Sequence, residues 1–195
     1  MFEDTSQEGW NWYVFHEQAT DTVRQGHKPE HISGYSDHLE LQVLQKPSFA
    51  SYTGWQIYRR QPIEYHRHPI ENNGKARFLG CRTEWLQSED EQKFSSPLKR
   101  LEYLNRLSPS MKFRSLELDP EWIQGTLTRL CSLTLPLFVK SHSIGIDGVS
   151  YEVHYGDYMA GTKLIWWGDG PAEWLPLTDA MMSLWTTLET LATNE

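Results

Sequence analysis

The segment Val149–Tyr155, VSYEVHY, alternates without a break: Val149, Tyr151, Val153 and Tyr155 against Ser150, Glu152 and His154. Successive side chains of a β-strand point to opposite faces, so this spelling describes a strand with one apolar and one polar face. A helix is excluded here, because period two scatters apolar residues around a helical surface. Between Gly156 and Gly161 the chain turns, and TKLIWW follows (162–167). A return this short forces antiparallel pairing, since a parallel partner needs a crossover of a dozen or more residues.

The same period recurs earlier. HLELQVLQK (38–46) sets Leu39, Leu41 and Val43 opposite Glu40 and Gln42. GWQIYRRQ (54–61) sets Trp55 and Ile57 opposite Gln56 and Tyr58, and KARFLGCR (75–82) reads as a further strand beyond Asn72-Asn73-Gly74. An Asn-Gly step suits a hairpin turn because both residues tolerate positive φ. The aromatic, β-branched stretch WNWYVFHE (10–17) also reads as a strand, and the polar segment 18–37, with Gly26, Pro29 and Gly34, as loop. An antiparallel meander is therefore expected over the first ninety residues. KFRSLEL (112–118) adds a strand whose phase slips near Ser115.

Helices are marked by caps. The charged stretch from Glu84 to Lys93 is followed by Ser96-Pro97, which opens a short helix carrying Leu98, Leu101, Leu104 and Leu107. Asp119-Pro120-Glu121-Trp122 is the sharpest start: Asp caps, Pro takes the first position, and Glu faces the positive end of the dipole. Its inner face is Ile123, Leu127, Leu130 and Thr134, with Pro136 as the stop. A last helix carries Leu177, Met181, Leu184, Trp185, Leu188 and Leu191 on one stripe. Strands joined by short returns, together with helices, predict an α+β fold. Its antiparallel sheet combines an N-terminal meander with a C-terminal hairpin, packed by two or three helices. Residues 1–195 show no repeat or linker and are expected to form a single domain.

Charge narrows the partner. The chain carries 26 acidic and 18 basic side chains, net −8. That balance repels phosphate backbones, so no nucleic acid is expected, and it suits capture of a basic protein. No apolar run approaches the roughly 18 residues of a membrane span, and Met1-Phe2-Glu3-Asp4-Thr5 lacks a signal-peptide pattern. No membrane association is expected, and a cytoplasmic location is. Cys81 and Cys131 sit in separate apolar-periodic segments and are expected as buried free thiols.

No reaction motif is present. Among eight histidines, His66 and His68 share a strand face, while Pro29 between His27 and His31 breaks any helical pair. Zinc needs three or four convergent ligands, so no metal is expected. There is no Gly-x-Ser-x-Gly elbow, Walker loop or His-Glu-x-x-His pair. Asp147, Glu152, Asp157, Asp169 and Glu173 could supply an acid–base pair, but no spacing selects two of them. Neither catalytic residues nor a cofactor is predicted, and the chain is read as a non-enzyme.

Nine Trp and nine Tyr exceed what a core of this size needs. Three of the tryptophans crowd WWGDGPAEW (166–174). Neighbours on a strand face opposite ways, so Trp166 can join a core with Leu164. Trp167, which shares its face with Lys163 and Ile165, then needs a second cover. Trp174 is placed to close the entry to the last helix.

The pattern DGVSYEVHY, a turn, LIWW, PAEWLPL and an apolar helix, covering about residues 119–191, resembles a loose group of small bacterial proteins without assigned chemistry. Some of that group are encoded beside polymorphic toxins as immunity proteins. The resemblance implies a non-enzymatic α+β protein that binds and neutralises a cognate toxin, covering its active site or substrate groove. The candidate contacts are Trp167, Asp169, Glu173, Asp157, Glu89, Asp90 and Glu91: aromatic anchors and carboxylates for a basic cleft. Two alternatives stand beside this. One is a structural or adaptor subunit of a larger assembly. The other is a small hydrolase or transferase using His66, His68 and a carboxylate.

Overall fold

The computed structural model describes residues 5–48, 50–63, 76–94, 108–136, 138–139, 147–156 and 161–194, with residues 5–11 as backbone only. Six strands form one antiparallel sheet: β1 (Tyr35–Pro47), β2 (Thr53–Pro62), β3 (Arg77–Trp85), β4 (Met111–Leu118), β5 (Val149–Gly156) and β6 (Gly161–Trp167). Their order is β4-β3-β2-β1-β5-β6. The expected meander runs outward from β1, and the C-terminal hairpin adds to the free side of β1, with Val43 opposite Val153. The fold is α+β, as the alternation predicts.

Four helices are described: α1 (Thr5–Gln25), α2 (Gln87–Phe94), α3 (Pro120–Cys131) and α4 (Leu175–Thr193). α3 and α4 cover one face. Their Ile123, Leu127, Leu177, Met181, Leu184, Trp185 and Leu188 meet Leu41, Val43, Trp55, Ile57, Phe78, Val153 and Trp166 of the sheet. Glu189 of α4 fixes this layer, accepting from the Trp55 indole at 2.7 Å and from Arg82 at 2.9 Å. α1 and α2 cover the other face, where Phe15, Ala19, Val23 and Phe94 pack on Leu44 and Trp85.

Several expectations are corrected. Residues 10–17 are helix, not strand. Phe15, Ala19 and Val23 recur every four residues, and all three are buried against the sheet. Aromatic composition masked that stripe. The predicted loop 18–37 is thus helix to Gln25, loop to Gly34 and strand from Tyr35. Gly26 ends α1 at φ 65°, its N–H returning to the Thr22 carbonyl at 3.0 Å. This is the left-handed position that favours glycine.

In β1 the alternation breaks at a bulge: Leu39 pairs with Tyr58 and Leu41 with Ile57, neighbours on β2 that face opposite ways. Leu39 and Leu41 therefore do not share a face. α3 ends at Cys131, with the Ser132 N–H closing on Thr128 and Arg129 carbonyls, so Thr134 and Pro136 lie beyond it. In α4 Leu191 is 39% exposed, and Ala192, one turn after Leu188, takes the inner place. Cys81 is buried under α1's side of the sheet, whereas Cys131 is exposed; both are free. The helix expected over 96–107 lies outside the described residues. So does the Asn72-Asn73-Gly74 turn.

Candidate functional site

β6 is an edge strand, and the two tryptophans at its end are treated differently by the two faces. Trp166 points into the α4 layer and stacks on Tyr151, ring centroids 5.5 Å apart. Gly170, at φ 74°, lies directly over that indole: a Cβ there would sit 3.0 Å from Trp166 Cδ1 and 3.1 Å from Thr178 Cγ2. Trp167 points to the opposite face and is half-buried. Its cover is Gly148, where a Cβ would stand 3.0 Å from the Trp167 indole.

The turn between them is tightly held. Gly168 N–H donates to the Val149 carbonyl at 2.8 Å, and Gly170 N–H to the Trp167 carbonyl at 3.0 Å. Trp174 is buried, and its indole N–H donates to the Pro136 carbonyl at 3.2 Å. The acidic side chains of this corner go outward. Asp169 and Glu173 are exposed, and neither has a hydrogen-bond or ion-pair partner among the described residues.

On the face beside Trp167, α1 lies over β1, β2 and β3 and reaches β5 through Arg24, while β6, the outermost strand, leaves Ile165 exposed. Lys163, Ile165 and Trp167 line this face, and Ile165 is 54% exposed. Opposite Ile165 in register is Glu152, buried between Arg24 of α1 (3.0 Å) and Lys163 (2.9 Å). Burial pushes the Glu152 carboxyl up, but hydrogen bonds from Arg24 and Lys163 more than reverse this and hold it below the ordinary carboxylate value. Glu152 is therefore a structural ion-pair member, which removes it from the acid–base candidates.

The other acidic cluster divides. Glu89 and Glu91 of α2 are exposed, Glu91 accepting from Gln87 at 2.7 Å. Asp90 is 1% exposed and turns inward, accepting from the Trp85 indole at 2.8 Å and from the Ser110 N–H at 2.8 Å and hydroxyl at 2.6 Å. Lys93 completes its shell at 3.0 Å. Asp90 is thus unavailable to a partner, a correction to its candidate role. Burial raises its carboxyl, and these four donors bring it below the usual carboxylate range. β3, which leads into α2, and β6 stand four strand steps apart, roughly 19 Å, so Glu89 and Glu91 are not brought together with Asp169 and Glu173.

Asp157, His66 and His68 lie outside the described residues. His27 rests on the Phe113 ring at 5.0 Å, and no group of three or more His, Cys, Asp or Glu side chains among the described residues could hold a metal ion. No helix among them is long and apolar enough to cross a membrane.

Sequence reasoning missed a cleft on the α3 side. The β1 bulge turns Glu40 toward Arg59, 2.6 Å away, beside Tyr155 of β5. With the N-terminal turns of α3 these residues enclose a groove of about 750 Å³, and a second, apolar cavity of about 200 Å³ lies beside it. The only local signal was the slip in alternation, which the spelling of 38–44 conceals. No protein-family model matches this chain, and neither a curated protein nor a solved structure matches it.

Proposed function

We propose that this chain is an immunity-type binding protein that neutralises a cognate, basic bacterial toxin by covering its active site or substrate groove. The contact surface is the exposed face of β6, with Lys163, Ile165 and Trp167, together with the acidic corner that follows it in the chain. The observation that carries this reading is Ile165, more than half exposed on the outermost strand of the sheet. An apolar side chain exposed beside a half-buried Trp on the same strand face has the make-up of an anchor, and the unpaired carboxylates of Asp169 and Glu173 follow in the turn after that strand. The toxin class comes from the resemblance of residues 119–191 to immunity-like proteins. A net charge of −8 fits a basic partner, whose approach it would steer.

The outer backbone of β6 adds a second means of recognition. An edge strand presents unpaired N–H and C=O groups, to which a partner strand can add. Lys163 of this strand is turned onto Glu152 at 2.9 Å.

The test is to identify a toxin domain among the neighbouring genes and to measure its association with this chain by calorimetry and stopped flow. Ile165→Glu should weaken binding by about thirtyfold, the loss of roughly 2 kcal/mol from an anchor. Reversing Asp169 and Glu173 to Lys should slow association at low salt and leave the fold unchanged. Reversing Glu89 and Glu91 should matter much less. Full-strength binding by both β6-side variants would place the interface elsewhere and overturn the proposal.

A further inference from the structure

The apolar cavity on the α3 side lies on the opposite face of the sheet from Ile165 and Trp167. Its floor is Leu41, Val153 and Leu164, neighbours on β1, β5 and β6, and its roof is Leu133, Leu177 and Met181. α3 has ended at Cys131, so Leu133 reaches over from irregular chain, and a cavity of about 200 Å³ is left between the layers.

None of the described residues lining it carries a charge. An ion placed there would lose its hydration without gaining a partner, so the occupant must be neutral. Water fills such a space poorly, because a buried water needs about two to four polar partners and these walls offer none. Apolar cavities of roughly 150 Å³ stay dry and admit a benzene-sized group, so a molecule of about six carbons fits.

The polar lining residues, Cys131, Tyr155 and Thr162, add one directional feature. The Cys131 thiol donates to the Tyr155 oxygen at 2.9 Å. That bond uses the thiol hydrogen and leaves the phenol hydrogen without an acceptor among the described residues. A hydroxyl hydrogen rotates to suit its partner, so it can turn to an oxygen held at the cavity mouth. A ketone or alcohol oxygen accepts such a bond and brings no charge.

We propose that this cavity binds a neutral ketone or alcohol of about six carbons, its hydrocarbon part among the leucines and its oxygen accepting from Tyr155. The site is independent of the toxin-binding reading, since it lies on the other face of the sheet from Ile165 and Trp167.

Met181 reports on the cavity, and Met111, packed in the α1 and α2 layer, is the control. The experiment titrates cyclohexanone, benzene and cyclohexanecarboxylate into the intact protein and follows the methionine methyl resonances by NMR. Cyclohexanone and benzene should each shift Met181 saturably, with Kd on the order of 1 mM, and leave Met111 in place. The carboxylate should bind at least about tenfold more weakly than cyclohexanone. Tyr155→Phe should raise the Kd of cyclohexanone about fivefold, the worth of one neutral hydrogen bond, and leave that of benzene unchanged.

Leu133→Trp should plug the cavity and abolish the Met181 shift. Thr162→Trp, at an exposed lining position, serves the same purpose should the first variant fail to fold. The proposal is overturned by any of four results: no saturable Met181 shift with cyclohexanone, equal binding of the carboxylate, the same response of cyclohexanone and benzene to Tyr155→Phe, or full binding in a folded plugged variant.

Discussion

The Trp85 indole N–H donates to the Asp90 carboxylate at 2.8 Å with both side chains buried, and this single bond splits the acidic run Glu89-Asp90-Glu91 into two roles. The inner carboxylate ties α2 to the end of β3 and to the start of β4 through Ser110. Removing one partner of such a buried, hydrogen-bonded charge leaves its donors unpaired. Asp90→Ala should therefore cost about 3 kcal/mol or more in denaturant unfolding, while Glu89→Ala and Glu91→Ala should stay within about 0.5 kcal/mol. Equal midpoints for the three variants would contradict this division.

Trp185 sits in the middle of the inner stripe of α4 and is 8% exposed. Trp185→Ala should destabilise by about 3–5 kcal/mol, the usual cost of deleting a large buried ring. Leu191→Ala, on the exposed flank of the same helix, should cost under about 0.5 kcal/mol. The pair separates burial from helix propensity, because both replacements are by alanine.

Gly26 is constrained twice. Its φ of 65° is costly for an L side chain, and a Cβ there would collide with the Gln56 amide, itself hydrogen-bonded to the Val23 carbonyl at 3.1 Å. Gly26→Ala is expected to destabilise by more than about 1 kcal/mol. Gly125, around which a Cβ meets nothing within 4 Å in the middle of α3, should instead tolerate alanine or gain from it. Thermal unfolding should show a lowered midpoint for Gly26→Ala and an unchanged or raised one for Gly125→Ala.

Stability should fall with acid in two stages. His16 lies between Trp12 and Trp85, with ring centroids 4.8 and 4.6 Å away, and hydrogen-bonds Tyr52. Burial holds its pKa below the ordinary 6.5, an effect that Glu91 and Glu17 only partly offset. The unfolded chain then takes up the proton first, so stability declines as pH drops below about 6.5 and through the folded value.

Asp90 and Glu152 have lowered values, and their contribution is complete above the ordinary carboxylate range. It is lost as pH falls below about 4 and through their folded values. His16→Phe should flatten the first decline and leave the second. Melting temperatures at pH 8, 6, 5 and 3.5 would show whether it does.

What the amino-acid order determined by itself is whatever a few neighbouring residues decide. The strict alternation of 149–155 placed β5, Asp119-Pro120 placed the start of α3 with its cap on Trp122, and the apolar stripe of 177–188 placed the buried side of α4. These signals are local, because strand pleat, cap hydrogen bonds and helical period are set within one turn or one strand. Tertiary structure decided the rest. Residues 12–23 are helical because Phe15, Ala19 and Val23 find a sheet face to bury against, a partner that composition alone cannot reveal. Of three consecutive acids, the one turned inward is the one that meets Trp85 and Ser110, residues brought there by β3 and β4. Trp167 finds its cover in Gly148, which reaches it only once β5 and β6 have paired. The cleft on the α3 side draws its walls from five strands and two helices, far apart in sequence. Its shape exists only after packing, since volume and enclosed charge belong to the assembled layers and to no single segment.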